Sequence, residues 1–134
     1  MHTTIFWFRN DLRLHDQRAL QRAAEHANAK QQRLLLVYVH EPAQDTPTPW
    51  GFRRMGQHRR RFMADTLHEL QVSLHALGQQ LLLLHGAVAD VLPACARHFA
   101  ADTVFAEDIA APEEEAQVQA LIDAGLKVNT VWQS

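Results

Sequence analysis

The sequence predicts an α/β fold: a Rossmann-like, doubly wound sheet of five parallel strands with helices on both faces. Five short apolar runs occur along its 134 residues. The runs are continuous rather than alternating, which is typical of strands that a parallel sheet covers on both faces. Four segments with helical periodicity separate them, so strands and helices alternate along the chain. The alternation predicts right-handed crossovers and a doubly wound sheet, for which we predict the strand order 3-2-1-4-5.

The predicted strands are compact runs rich in leucine, β-branched and aromatic side chains. They are residues 4–8, 34–39, 81–84, 103–106 and 128–132. Runs this short have the length of strands rather than of helices. Each is therefore interpreted as one strand of the sheet.

Four helices are predicted between the strands. They run from about residue 16 to 28, from 56 to 77, from 88 to 99 and from 112 to 124. Asp16 is placed to cap the first helix, and Gly78 follows the second as a stop signal. Pro93 falls inside the third, which predicts a kink there or a helix that begins near Pro93.

Ligands of an open sheet of this order bind at the carboxyl ends of the strands, where the strand order reverses. That reversal lies beside the first strand, bordered by the loops at residues 9–15 and 107–111. The first of these loops contains no glycine. A dinucleotide fingerprint or a phosphate-binding loop would need glycines there for close backbone approach, so the sequence excludes both.

Composition excludes several classes of protein. The chain is 47% hydrophobic and 21% charged, with a net charge of -2, which argues against disorder and against a global attraction to nucleic acid or anionic membranes. No apolar run approaches the roughly 18 residues of a membrane span, and no signal-peptide pattern opens the chain. A single cysteine excludes an internal disulfide. We expect a cytoplasmic protein with no membrane partner.

No catalytic or metal-binding arrangement is predicted. Of the nine histidines, His68 and His75 share a helix face but lie two turns apart, too far to hold one ion. Cys95 lies in an apolar helical stretch and is interpreted as an inert core thiol. We therefore predict no catalytic residue and no metal site.

Five of the 13 basic residues fall within nine positions. They are Arg53, Arg54, Arg59, Arg60 and Arg61. Such a cluster could contact nucleic acid. Helical spacing scatters these side chains around the helix, so a solvated face that pairs with acids or with another domain is the alternative.

The most informative segment is residues 6–16, Phe-Trp-Phe-Arg-Asn-Asp-Leu-Arg-Leu-His-Asp. Arg9 and Arg13 place two guanidinium forks around the carboxylate of Asp11, which can lock a loop at a strand end. The segment also resembles the opening of DNA photolyases and cryptochromes. Further stretches agree with that family in the same order: residues 37–42, 56–78, 81–86, 106–108, 112–115 and 131–132. Residues 51–56 and the neighbouring Glu113 and Glu114 are similar to the cryptochrome DASH branch.

The resemblance implies that residues 1–134 are one domain, the N-terminal α/β domain of light-driven DNA repair enzymes and blue-light receptors. In the family a larger helical domain follows, and it binds FAD, the damaged bases and the DNA. That domain is absent here, so the resemblance implies neither FAD nor repair activity for this chain by itself. Trp7, Trp50 and Trp132 lie in the α/β part and are not assigned to electron transfer. The chain would end near the family's interdomain linker, as an isolated domain or the product of a truncated gene would.

In the family, the α/β domain helps to bind an antenna chromophore, a methenyl-tetrahydrofolate or a deazaflavin, which passes excitation energy to FAD. Glu114 best matches the family's folate-binding acid at the start of the helix after the fourth strand, and Glu113 lies beside it. Arg9 and Asp11 are expected to border the same pocket. The alternative role of both glutamates is to stabilise the helix dipole, as acids in a first turn do.

A second hypothesis stays open at this point. The chain could be a stand-alone nucleotide-binding or interaction module with the same architecture and no light chemistry. Residues 9–16 discriminate between the two hypotheses, because a generic nucleotide binder has no need of that segment.

Overall fold

The computed structural model describes residues 2–9, 12, 14, 17–41 and 57–132, with side chains from residue 64 onward in the last stretch. The elements are β1 (Thr3–Phe8), α1 (Arg18–Ala29), β2 (Arg33–His40), α2 (Gln57–Ala76), β3 (Leu81–His85), α3 (Val88–His98), β4 (Ala101–Glu107), α4 (Pro112–Asp123) and β5 (Lys127–Val131). All strand pairs are parallel, and the order is β3-β2-β1-β4-β5. The predicted five-stranded parallel sheet with order 3-2-1-4-5 is confirmed.

The sheet separates two apolar cores. On one face, α3 and α4 pack against the side chains that include Ile5, Trp7 and Val104. On the other, α1 and α2 pack against the side chains that include Phe6 and Phe8. Every residue of β1 is buried, because alternate side chains of this central strand enter opposite cores. The predicted helices on both faces are confirmed.

The helix α1 begins at Arg18, with Gln17 in the N-cap position. Asp16, which the sequence predicted as the cap, lies outside the described residues. Ala19, Ala23 and Ala27 form the buried stripe of this helix. Their small side chains let the helix lie close to the sheet, since no bulky group separates the two.

The helix α3 begins at Val88 and continues through Pro93 to His98. This start confirms the helix predicted from residue 88 and excludes the alternative of a helix that begins near Pro93. Proline removes one backbone hydrogen bond from a helix interior. Here the helix persists across that gap because Val88 and Leu92 from its first turns are fully buried against the sheet, which stabilises the helical conformation on both sides of the proline.

The helix α2 is the longest element, at 20 residues. It packs Leu70 and Leu74 into the core that it shares with α1. Gly78, at a φ of 75°, follows its end as the sequence predicted. Within the described part of the chain, neither α2 nor another helix is both long and apolar enough to cross a membrane.

Candidate functional site at the reversal of strand order

The carboxyl ends of β1 and β4 lie side by side at the point where the strand order reverses. β1 pairs with β2 on one side and with β4 on the other. Arg9 directly follows β1, and Glu107 is the last residue of β4. This is the place at which an open α/β sheet binds its ligand, and it is bordered by the two loops that the sequence indicated.

Arg9 crosses this strand end instead of extending into solvent, and only 8% of its surface is exposed. Its Nη1 donates to the backbone carbonyl of Glu107 at 3.2 Å. Its Nη2 donates to the backbone carbonyl of Glu114 at 2.9 Å and to Oε1 of Gln117 at 3.2 Å. Arg9 therefore ties the end of β1 to the end of β4 and to the first turns of α4.

The charge of Arg9 is balanced by its surroundings. Its Cζ lies 4.5 Å from the ring centroid of Trp7, a cation–π contact within the buried core. Burial lowers the pKa of the guanidinium, and four carboxylates oppose that shift. They are Glu114, Glu107, Asp108 and Glu41, which we call the acidic rim. Because arginine is not deprotonated near neutral pH, the crevice holds one buried cation inside this rim.

A second set of contacts runs from Gln117 toward β2. Nε2 of Gln117 donates to Oε1 of Glu41, the residue that follows β2. The other carboxylate oxygen of Glu41 accepts a hydrogen bond from the backbone N–H of Val88, at 3.2 Å. Val88 is the first residue of α3, and Ala87 before it supplies no side-chain cap. Glu41 thus satisfies an otherwise open donor of α3 from a distant part of the chain.

The first turn of α4 contains three acids, which are Glu113, Glu114 and Glu115. Glu114 is half-buried, whereas its two neighbours are exposed. Helical spacing explains the difference, because Glu114 lies on the same face as Val118 and the fully buried Leu121. Of the three, Glu114 is therefore the acid that borders the crevice.

Two of the four residues that the sequence placed in one pocket are brought into contact. Nη2 of Arg9 donates to the backbone carbonyl of Glu114, so the two residues are in direct contact at the reversal of strand order. Glu113 is exposed on the neighbouring helical position. Asp11 lies outside the described residues. The role of these residues toward an antenna stays a prediction.

Sequence reasoning missed two residues of this site, Gln117 and Glu41. Gln117 lies three positions after Glu114, so the helical periodicity that places Glu114 on the inner face also places Gln117 there. Glu41 immediately follows β2, next to β1 in the sheet. The helical spacing of Gln117 and the position of Glu41 after a strand were both visible in the sequence. Neither feature indicates which residue the side chain contacts.

The other candidate residues give no second site. Within the described ranges, no three His, Cys, Asp or Glu side chains converge as a metal would require. His68 and His75 are both exposed on α2. Cys95 is buried, and burial raises the pKa of its thiol, which confirms the predicted core thiol. The arginine cluster lies outside the described side chains.

Comparison with known proteins identifies the family. The model of the DNA photolyase family matches residues 4–134. The chain belongs to this family. Cryptochrome DASH of Gloeobacter violaceus is 39% identical over 92 residues, covering 69% of this chain and 18% of the relative. Cryptochrome DASH of Natronomonas pharaonis is 33% identical over 136 residues, covering 98% of this chain and 28% of the relative.

Solved structures of the family share the fold of this photolyase-family domain. A Synechocystis sp. PCC6803 cryptochrome superposes with a TM-score of 0.90 at 30% identity, covering 98% of this chain and 27% of that one. A class III photolyase from Agrobacterium tumefaciens gives a TM-score of 0.78 at 30% identity, covering 96% of this chain and 25% of that one. The chain therefore corresponds to the N-terminal part of the family and spans under a third of these relatives.

Proposed function

We propose that this chain is the antenna-binding α/β domain of a photolyase or cryptochrome of the DASH type, and that Glu114 holds a folate antenna. The observation that carries the proposal is the half-buried Glu114 in the first turn of α4, at the reversal of strand order. Light-driven DNA repair or blue-light sensing by the whole protein, with FAD and DNA bound by a following helical domain, is part of the proposal.

The chemistry of a carboxylate favours the pterin ring of a folate. A 2-amino-pterin presents two adjacent N–H donors, the ring N3–H and the exocyclic amine, on one edge. A carboxylate accepts such a pair in two parallel hydrogen bonds, as it does from arginine. A deazaflavin ring presents one N–H between two carbonyl oxygens, and these oxygens would face an acid. Of the two antennas that the family uses, Glu114 therefore favours methenyl-tetrahydrofolate.

The electrostatics of the crevice disfavour a phosphorylated ligand. The donors of Arg9 are directed to Glu107, Glu114 and Gln117, and four carboxylates surround the cation. The helix N-termini that would otherwise attract phosphate carry acids here. Glu41 accepts from the first N–H of α3, and three glutamates occupy the first turn of α4. This supports an antenna domain over the alternative of a nucleotide-binding module.

An antenna needs no proton transfer and no nucleophile. It absorbs light and passes excitation energy to the flavin, so the domain has only to hold the chromophore at a suitable distance and orientation. Within this domain, Glu114 is thus proposed as the residue that binds the chromophore and Arg9 as a residue that borders its site, and neither is proposed as catalytic. Asp11 is proposed for the same wall on the family resemblance alone.

The proposal is tested with Glu114→Gln in the full-length protein, with Glu115→Gln, at an exposed position of the same turn, as the matched control one position away. A carboxylate that accepts from a buried ring N–H contributes about 1.5–3 kcal/mol, so Glu114→Gln should weaken methenyl-tetrahydrofolate binding about ten- to a hundredfold. Glu115→Gln should leave the affinity within about twofold. Folate absorbance retained after gel filtration and melting temperature are measured for both variants.

If Glu114 only stabilises the start of the helix, a different result is expected. In that case both variants lose only a few tenths to about 1 kcal/mol of stability, and both keep the antenna. Unchanged folate affinity in Glu114→Gln, together with a lower melting temperature, would reject the proposed binding role.

A further inference from the structure

Arg9, Gln117 and Glu41 form a continuous polar network beneath the proposed antenna site. It joins the ends of β1, β2 and β4 to the first turns of α3 and α4. Its members lie far apart in sequence, at positions 9, 41 and 117. The network therefore fixes five element ends relative to one another.

The side chain at position 117 has to be an amide for the network to close. Its oxygen accepts from Nη2 of Arg9, and its nitrogen donates to Glu41. A carboxylate could accept from Arg9 but could not donate to Glu41 when ionised. An apolar side chain could do neither. Glutamine is thus matched to a cation on one side and an anion on the other.

The same network holds the backbone of Glu114. Nη2 of Arg9 donates both to Gln117 Oε1 and to the Glu114 carbonyl, while Nη1 donates to the last residue of β4. Arg9 contacts Glu114 and Gln117, which lie three residues apart on α4. These two contacts fix how the first turn of α4 is rotated and how far it lies from the sheet. The direction of the Glu114 side chain follows from that rotation.

We propose that Gln117 and Arg9 are positioning residues of the antenna site, with Glu41 as their anchor: they aim Glu114 at the chromophore without touching it. The proposal rests on the proposed antenna function. Excitation transfer depends on the orientation of the chromophore as well as on its presence. A loosened first turn of α4 should therefore lower both antenna affinity and the efficiency of energy transfer to the flavin.

The test compares Gln117→Glu with Gln119→Glu in the full-length, FAD-loaded protein. Gln119 is an exposed residue of the same helix that donates to the neighbouring acid Asp123 at 2.9 Å, so both variants place a carboxylate beside an existing one. Gln117→Glu should weaken folate binding at least about tenfold at pH 8 and lower the energy-transfer yield of the bound folate. Gln119→Glu should change neither by more than about twofold.

The loss of folate affinity in Gln117→Glu should also depend on pH. The introduced carboxylate would face Glu41 and Arg9, with Glu107, Asp108 and Glu114 nearby. Two adjacent carboxyl groups share a proton at low pH, and the protonated group can donate in place of the amide. The folate affinity of Gln117→Glu should recover as the pH falls from 8 to 5 and decline as the pH rises. The wild type and Gln119→Glu should show no such pH dependence.

The possible results distinguish failure of the proposed antenna function from failure of the positioning role. If the wild type binds no folate, the proposed function fails. If the wild type binds folate and Glu114→Gln weakens it, but Gln117→Glu behaves as Gln119→Glu does, the antenna site stands and the positioning role is overturned. Should Gln117→Glu not retain FAD or a cooperative melting transition, Gln117→Met and Arg9→Lys take its place, and normal folate affinity with a normal transfer yield in both would overturn the proposal.

Discussion

Arg9 is a cation that is almost fully buried, in a position where an unpaired charge would be costly. Three oxygen acceptors and the face of Trp7 compensate for the lost hydration. Two of the acceptors are backbone carbonyls, which a substitution of the partner side chain would not remove. The placement of Arg9 is therefore built into the backbone of β4 and α4.

Replacing Arg9 should destabilise the whole domain. Arg9→Ala removes three charge-assisted hydrogen bonds and leaves their acceptors in a closed crevice, so we expect a loss of about 2–4 kcal/mol in the free energy of unfolding. Arg22→Ala, at an exposed position of α1, should change it by less than about 0.5 kcal/mol. Urea denaturation of both variants measures the difference, and equal losses would show that the Arg9 contacts contribute nothing.

Tyr38 gives the domain a pH-dependent stability at the alkaline end. Burial raises the pKa of its hydroxyl, so the folded state favours the protonated form. This stabilisation is fully present below the pKa of the unfolded chain, about 10, and is lost as the pH rises through the higher folded pKa. The chain contains one tyrosine, so tyrosinate absorbance follows this group alone.

We therefore expect tyrosinate to appear at a higher pH in the folded domain than in urea. Stability of the wild type should fall as the pH rises above about 10, the pKa of the unfolded chain. Tyr38→Phe should make the loss of stability with rising pH less steep. A smaller loss in the same direction should remain, because burial also raises the pKa of the Cys95 thiol. A tyrosinate midpoint equal to that of the unfolded chain would contradict this prediction.

At the scale of single elements, α4 depends on one buried side chain for its docking. Leu121 is 0% exposed, whereas Ile122 beside it is 45% exposed. Leu121→Ala should cost about 2–5 kcal/mol because it opens a cavity against the sheet. Ile122→Ala should cost less than about 1 kcal/mol. Chemical denaturation of this neighbouring pair tests whether burial, and not helix propensity, decides the stability of α4.

The turn after β3 has a stricter requirement for glycine than the turn after α2. Gly86 has a φ of 131°, and a Cβ there would lie 2.7 Å from Cγ1 of Val91. Gly78 has a φ of 75° and no atom within 4 Å of an added Cβ. Gly86→Ala should therefore cost more than Gly78→Ala, for which backbone strain alone predicts about 1–2 kcal/mol. Equal melting temperatures for the two variants would be inconsistent with the clash.

For the molecule as a whole, the family resemblance implies that FAD is bound outside the α/β domain of residues 1–134. We expect the purified 134-residue chain to be colourless and to carry no FAD. Absorbance between 350 and 500 nm before and after gel filtration measures this, with denatured supernatant as the control for released flavin. A flavin band that stays with the protein would show that the α/β domain binds the cofactor by itself.

The architecture could be predicted from the sequence because its determinants are local. Continuous apolar runs of strand length, such as residues 34–39, and helical segments between them specify a parallel sheet covered on both faces. The crossover rule then leaves few possible strand orders. At Pro93 this local reasoning left two alternatives open, and the helix continues through the proline because Val88 and Leu92 are buried. The family, in turn, followed from motifs that keep their order along the whole chain.

The arrangement of the site was decided only by the tertiary structure. The pairing of Arg9 with Asp11 that the sequence predicted lies outside the described residues, whereas the hydrogen-bond partners that the structure describes for Arg9 lie 98 to 108 positions away. Likewise, Glu41 meets α3 and α4 from 47 and 76 positions away. A hydrogen bond requires its atoms to lie within about 3 Å in the right alignment, and that is settled only when the sheet has brought the ends of β1, β2 and β4 together. The sequence alone thus determined the fold and the family and indicated the acid at position 114 as a candidate, whereas the partners of Arg9 and the half-burial of Glu114 follow from how α4 packs on the folded sheet.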